Sequence, residues 1–193
     1  MRSIFALLGI VLLTGCETPP PPPIHAPIAF TDQGKIRFAV GAVQVISDYV
    51  STGKAPNVEH EFPFSPEQTL WQWAEDRLQA AGDWGRVEMT IREASIRRDP
   101  LPTEEGVMGL FKREQNERYT ATLYVTLTVE NGERTGNATI RATRSHTFLE
   151  GMSLNQRDAA RHAFLKSIMQ DFNTEAERAI ARDLGGFLAG DNA

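Results

Sequence analysis

Between Arg118 and His146 apolar and polar side chains alternate in two arms, one on each side of Asn131-Gly132. Tyr119, Ala121, Leu123, Val125, Leu127 and Val129 share one phase, and Ala138, Ile140 and Ala142 share the matching phase of the second arm. A period of two belongs to a strand with one face buried. Asn-Gly is the favoured two-residue hairpin turn. An antiparallel hairpin follows, with Glu130 opposite Glu133. That register sets Val125 against Ala138, Leu123 against Ile140 and Ala121 against Ala142. On the other face Thr126 meets Asn137, Tyr124 meets Thr139 and Thr122 meets Arg141. A slip of one residue would turn the whole apolar set to water, so the facing is well specified. The small residues Gly136, Ala138 and Ala142 leave room for a helix on the apolar face.

The rest of the chain supplies the partners for that face. Lys35 to Val45 reads as a strand, with a change of phase at Gly41-Ala42 that a bulge would produce. Asp48 to Pro63, with Gly53, Pro56 and Pro63, reads as a loop. Ser65-Pro66-Glu67-Gln68 is a capping box with proline at the first helical position. It opens a helix expected to reach Ala81, with Leu70, Trp73, Ala74, Leu78 and Ala81 as its apolar stripe and Trp71 to one side. Arg86 to Ile96 alternates as a second strand, and Arg97 to Glu117 is rich in turn residues. Ser153-Leu154-Asn155-Gln156 is a second capping box. The helix after it runs towards Leu184, with Leu165, Ile168, Met169, Phe172, Ala176, Ala179 and Ile180 on one side. The expected fold class is α+β: a two-layer sandwich in which an antiparallel four-stranded sheet is covered on one face by two helices, in the order β-α-β-β-β-α.

The N-terminus carries a different signal. Arg2 precedes an apolar run from Ile4 to Leu13, which at about 10 residues is too short to span a bilayer needing roughly 20. It has the form of a secretory signal peptide. The run closes on Leu13-Thr14-Gly15-Cys16, which resembles a bacterial lipobox. That resemblance implies cleavage between Gly15 and Cys16, with diacylglycerol on the sulfur and an acyl chain on the new amino group of Cys16, and no other cofactor. Cys16 is the single cysteine, so no intramolecular disulfide exists. Two or more acyl chains anchor stably where one does not. Glu17 is not the aspartate that retains enterobacterial lipoproteins in the inner membrane, so the resemblance points to the outer membrane, facing the periplasm. Pro19 to Pro23 and Pro27 make the following stretch a tether. The expected organisation is residues 1–15 signal peptide, 16–34 lipidated cysteine and tether, 35–186 one periplasmic domain and 187–193 a C-terminal tail.

Charge and motif patterns narrow the function. With 20 basic and 25 acidic residues the chain is mildly acidic and has no basic cluster. That argues against nucleic acid and against electrostatic docking on anionic headgroups. His60-Glu61 lacks the second histidine of a zinc-protease helix. Asp158 and His162 sit one helical turn apart without a third ligand. His146 falls in phase with Ile140 and Ala142, and Ser145 beside it is outside any Gly-x-Ser-x-Gly turn. No metal site and no catalytic residue is assigned. Trp71 and Trp73 read as packing residues. The one oddly apolar loop stretch, Val107-Met108-Gly109-Leu110-Phe111, makes Val107, Met108, Leu110 and Phe111 the candidate contact residues for a partner or lipid.

The element order behind a lipobox resembles the LptE family of LPS-assembly lipoproteins and, more loosely, the PqiC-like auxiliary lipoproteins of lipid-transport systems. The stretch Glu117-Arg118-Tyr119-Thr120-Ala121-Thr122-Leu123 and the long helix after Ser153 carry the likeness. Asn57-Val58-Glu59-His60 and Asp171-Phe172-Asn173 resemble features of a family of alphaproteobacterial lipoproteins. The resemblance implies a non-enzymatic accessory or binding subunit of envelope assembly or lipid trafficking. It would be held to the membrane by its lipid, with an envelope protein or a lipid as partner. The competing classes are an envelope hydrolase built on a histidine and a purely structural lipoprotein. For the anchor the expected outcome is direct: Cys16→Ala yields a precursor neither acylated nor cleaved before residue 16, as intact-mass measurement of the membrane fraction would show.

Overall fold

The computed structural model describes residues 25–101, 117–149 and 151–190. Its strands are β1 (Ile36–Phe38), β2 (Ala42–Ser47), β3 (Leu78–Ala80), β4 (Arg86–Pro100), β5 (Glu117–Asn131) and β6 (Arg134–Phe148). Its helices are α1 (Pro66–Arg77) and α2 (Leu154–Asp183). The α+β class holds, with both long helices where the capping boxes put them. In each box the serine side chain accepts from the glutamine amide and the glutamine side chain accepts from the serine amide.

The sheet differs from the expected one. It is four-stranded in the order β2-β4-β5-β6, but it is mixed: β2 runs parallel to β4, and only β4-β5 and β5-β6 are antiparallel. A helix lies between β2 and β4 in the chain. A helical crossover returns the chain to its starting side, so the strands it joins run the same way. The strand expected over Lys35–Val45 is in fact two strands in two sheets. β1 pairs in parallel with β3 in a separate two-stranded sheet, and β2 joins the main one. The phase change at Gly41 marks this switch rather than a bulge. The Gly41 amide donates to the carbonyls of Trp84 and Gly85, and a Cβ there would stand 2.7 Å from the Asp83 carbonyl oxygen. Helix α1 stops at Arg77 rather than Ala81, because Leu78–Ala80 is pulled into β3 alongside β1.

The hairpin has the expected facing but a register shifted by two. Asn131 pairs with Arg134, which leaves Gly132-Glu133 as the turn. Val125 faces Ile140, Leu123 faces Ala142 and Leu127 faces Ala138. Gly132 has φ 63° and Glu133 is not left-handed. A glycine at the first of two loop positions is the type II′ pattern. A shift of two preserves which side each residue faces, so the same apolar set is buried. On the outer face Thr126 therefore meets Thr139, Tyr124 meets Arg141 and Thr122 meets Thr143.

Helix α2, about 45 Å long at 1.5 Å per residue, lies over this apolar face. Leu165, Ile168, Met169, Phe172, Ala176 and Ala179 are fully buried with Val87, Met89, Ile91, Leu123, Val125, Leu127 and Ile140. Gly136 lies against the side chains of Phe187 and Leu184, where a Cβ would collide. Ile28 and Phe30, from the stretch assigned to the tether, are also in the core, as is Phe187 from the stretch assigned to the tail.

A polar node joins these layers. Asn173 on α2 accepts from Trp73 Nε1 at 2.8 Å and from Arg77 Nε at 3.1 Å, and donates to Gln33 Oε1 at 2.6 Å. Arg77, 3% exposed, also donates to the carbonyls of Gln33 and Gly34 and pairs with Glu177. Asn173→Ala strands a buried indole N–H and weakens the hold on a buried guanidinium. It should lower unfolding free energy by about 2 kcal/mol in chemical denaturation, with the cooperative transition retained.

Candidate functional site

The functional candidates gather where β4, β5 and β6 end at Pro100, Glu117 and Phe148, beside the first half of α2 and the loop before α1. Strand β2 stops at Ser47 opposite Ile91, and Arg92 then bulges out of the β4-β5 register. The loop expected over Asp48–Pro63 takes over the exposed edge of β4 beyond this point. Val58 N–H donates to the Ile96 carbonyl, Arg98 N–H donates to the Pro56 carbonyl, and Asn57 bridges Arg97. Unpaired strand edges invite foreign pairing, and a covering loop removes that hazard.

Glu59, in a 3-10 turn of this loop, is 3% exposed. Its Oε1 accepts from Tyr49 Oη at 2.7 Å and Ser51 Oγ at 2.5 Å, while Oε2 is buried without a partner. Burial alone would push the carboxyl pKa up. The hydroxyls of Ser51 and Tyr49, with neighbouring backbone amides, outweigh it and hold Glu59 below the usual glutamate range. Burial, followed by the hydrogen bond to and the charge of Glu59, raises the Tyr49 phenol well above its ordinary value. A cavity of about 190 Å³ adjoins, lined by Tyr49, Ser51, Glu59, His60 and the first turn of α1. The arrangement fixes the loop by hydrogen bonds to an ionised carboxylate. Nothing in the alternation pattern singled out Glu59, although it lies in the Asn57-Val58-Glu59-His60 stretch noted for its resemblance to other lipoproteins.

Charged side chains then tie this loop to α2 and the sheet. Arg161 donates to the Glu61 carbonyl at 2.8 Å and to its carboxylate, and its guanidinium stands 5.7 Å from the Phe62 ring. Arg98 reaches Glu61 at 3.3 Å and Glu117 at 3.8 Å. Below them Phe62, Tyr119, Phe148 and Phe164 form an aromatic cluster of edge-on and tilted contacts.

The histidines fall into this same region but not into one site. His146 packs on the rings of Phe148 at 5.0 Å and Phe164 at 6.1 Å, beside a groove lined by Arg144 and Ser167. His60 lines the Glu59 cavity. His162 stacks on His25 at 4.7 Å, near-parallel at 12°, and its Nε2 lies 3.0 Å from the Ala26 carbonyl. Among the described residues neither His60 nor His146 hydrogen-bonds a carboxylate, and no cluster of three metal-ligating side chains occurs. Trp73 is fully buried and Trp71 is at the surface. Gly15 and Cys16, the cleavage and lipid-attachment residues, and Val107, Met108, Leu110 and Phe111, the candidate contact residues, lie outside the described residues. No described helix is long and apolar enough to cross a membrane.

No family model, curated protein or solved structure matches the chain.

The Glu59 anchor has a definite pH signature. A carboxyl whose pKa is lower folded than unfolded adds stability that is fully present above the unfolded value and disappears as pH falls through the folded one. The stability difference between the native chain and Glu59→Gln should be constant above about pH 5 and shrink below about pH 4, in urea titrations across that range.

Proposed function

We propose that this chain is a membrane-anchored lipoprotein facing the periplasm, and that it works by binding as an accessory subunit of envelope assembly or lipid trafficking. The observation that carries the reading is Leu13-Thr14-Gly15-Cys16 at the close of a short apolar run. One feature of the fold supports it. The segment after the tether prolines is built into the body: Ile28 and Phe30 are buried, the Phe30 amide donates to Asp76 at 2.7 Å, and Gln33 meets Asn173. A pull on the anchor is thus transmitted to the core rather than to a loose end.

Binding rather than bond chemistry is supported by how the titratable groups are used. Glu61, Arg77, Arg98 and Arg161 bind one another or the backbone, Glu59 accepts from the hydroxyls of Tyr49 and Ser51, and His146 packs on aromatic rings. The surfaces left over are the threonine-rich outer face of β5 and β6 and the apolar end of the body beside α2. Glu17 after the cysteine favours the outer membrane.

In-cell photo-crosslinking from positions on these two surfaces, followed by mass spectrometry of protein and lipid adducts, tests the reading. The expected result is a reproducible envelope-protein or lipid adduct that survives His60→Ala and His146→Ala. Absence of any envelope adduct, or a cellular function abolished by either histidine change alone with the fold intact, would overturn it.

A further inference from the structure

The course of residues 25–33 shows which end of the body faces the anchor. Gln33 is held at Asn173 on α2, and the Phe30 amide at Asp76 on α1. Ala26 and His25 are held at His162, eleven residues nearer the start of α2. The segment therefore runs along α2 in the direction of the helix for about 16 Å, at 1.5 Å per residue. His25, the first described residue, stands at the first half of α2.

The same end carries exposed apolar side chains. Leu149 is 48% and Leu154 81% exposed, and Met152 is half-buried between them. They border an open groove of about 490 Å³, mainly apolar, lined by Leu149, Gly151, Met152, Gln156 and Ala159. Ala159 stands one helical turn before His162, so the groove and the exit of the tether are neighbours. Large side chains left in water at a groove mark a contact surface rather than scattered surface residues.

From this we infer that Leu149, Met152 and Leu154 form a lipid-docking surface that rests on the bilayer holding the anchor. The inference depends on the lipidation of Cys16 proposed above. Chain length selects the occupant. Residues 16–24 lie between the lipidated cysteine and the first described residue, and even fully extended they reach about 30 Å. A domain held that close meets the lipid surface at high effective concentration, so a small apolar contact suffices to orient it. The contact is apolar rather than electrostatic, because the chain carries a net charge of −5 and no basic cluster. The opposite end offers an internal control. Trp84, 80% exposed, precedes β4 beside the hairpin turn, a strand length of roughly 50 Å away.

The test uses the lipidated mature protein in phosphatidylcholine vesicles whose acyl chains are brominated. Because acylation blocks Cys16, Asn155→Cys or Trp84→Cys supplies one free thiol for an environment-sensitive fluorophore. The expected result is quenching of the label at 155 and none at 84, unchanged by added salt. Leu149→Asp with Leu154→Asp should abolish the quenching at 155 while the protein still floats with the vesicles. Several outcomes overturn the inference. One is a floating protein unquenched at 155, or quenched equally at both ends; the anchor then stands and the docking surface falls. Another is self-quenching at 155 that rises with protein-to-lipid ratio without quenching by bromine, which assigns the surface to a second copy. A protein that does not float, with Cys16 itself open to labelling, removes the anchor and the docking together.

Discussion

The buried guanidinium of Arg77 is the constraint around which the helical layer is arranged. A charge at 3% exposure is costly unless it is paired and hydrogen-bonded. Two separate parts of the chain meet its donors: the carbonyls of Gln33 and Gly34, and the side chains of Asn173 and Glu177 on α2. α1, α2 and the segment leading from the tether are therefore fixed relative to one another by directional bonds. Apolar packing alone would allow the two helices to slide. The position of Ala26 and His25 on α2 follows from this fixing, and so does the end of the body from which the tether departs.

The crossover through α1 shapes the other half of the molecule. With β2 parallel to β4 and only six residues long, the far half of β4 would be a free edge. The 56–58 segment closes that edge, and Glu59, Tyr49 and Ser51 lock the loop that carries it. Arg161 and Arg98 then fasten the loop to α2 and β5 through Glu61 and Glu117. Ionised groups at this end thus serve as fasteners. Among the described residues Leu149 and Leu154 leave apolar surface exposed at this end, on the side of His25.

Legibility from sequence followed the range of the forces involved. The capping boxes at Ser65 and Ser153 are local, and both were readable to the residue. The facing of β5 and β6 was readable, because it depends only on alternation. The hairpin register was two residues off, because alternation is blind to even shifts and the turn geometry decides them. The split of the first strand left a visible mark at Gly41, but a phase change has the same appearance whether the strand bulges or changes sheets. The end of α1 was misplaced because Leu78 and Ala81 continue the helical stripe, while pairing with β1 claims Leu78–Ala80 for a strand. The burial of Glu59 and Arg161 was not legible, since a single acid or base in a sequence does not reveal the partner that will bury it.

By itself the sequence determined the two helices, the apolar face of the hairpin, the α+β class and the lipobox-like start of the chain. Each of these is written in residues close together along the chain. The tertiary structure alone decided the parallel pairing of β2 with β4, the second sheet, the Arg77–Asn173 node and the proximity of the tether exit to Leu149 and Leu154. These depend on contacts between segments far apart in the chain, such as Gln33 with Asn173, 140 residues away. Their energies come from burial and hydrogen-bond geometry that no local pattern encodes.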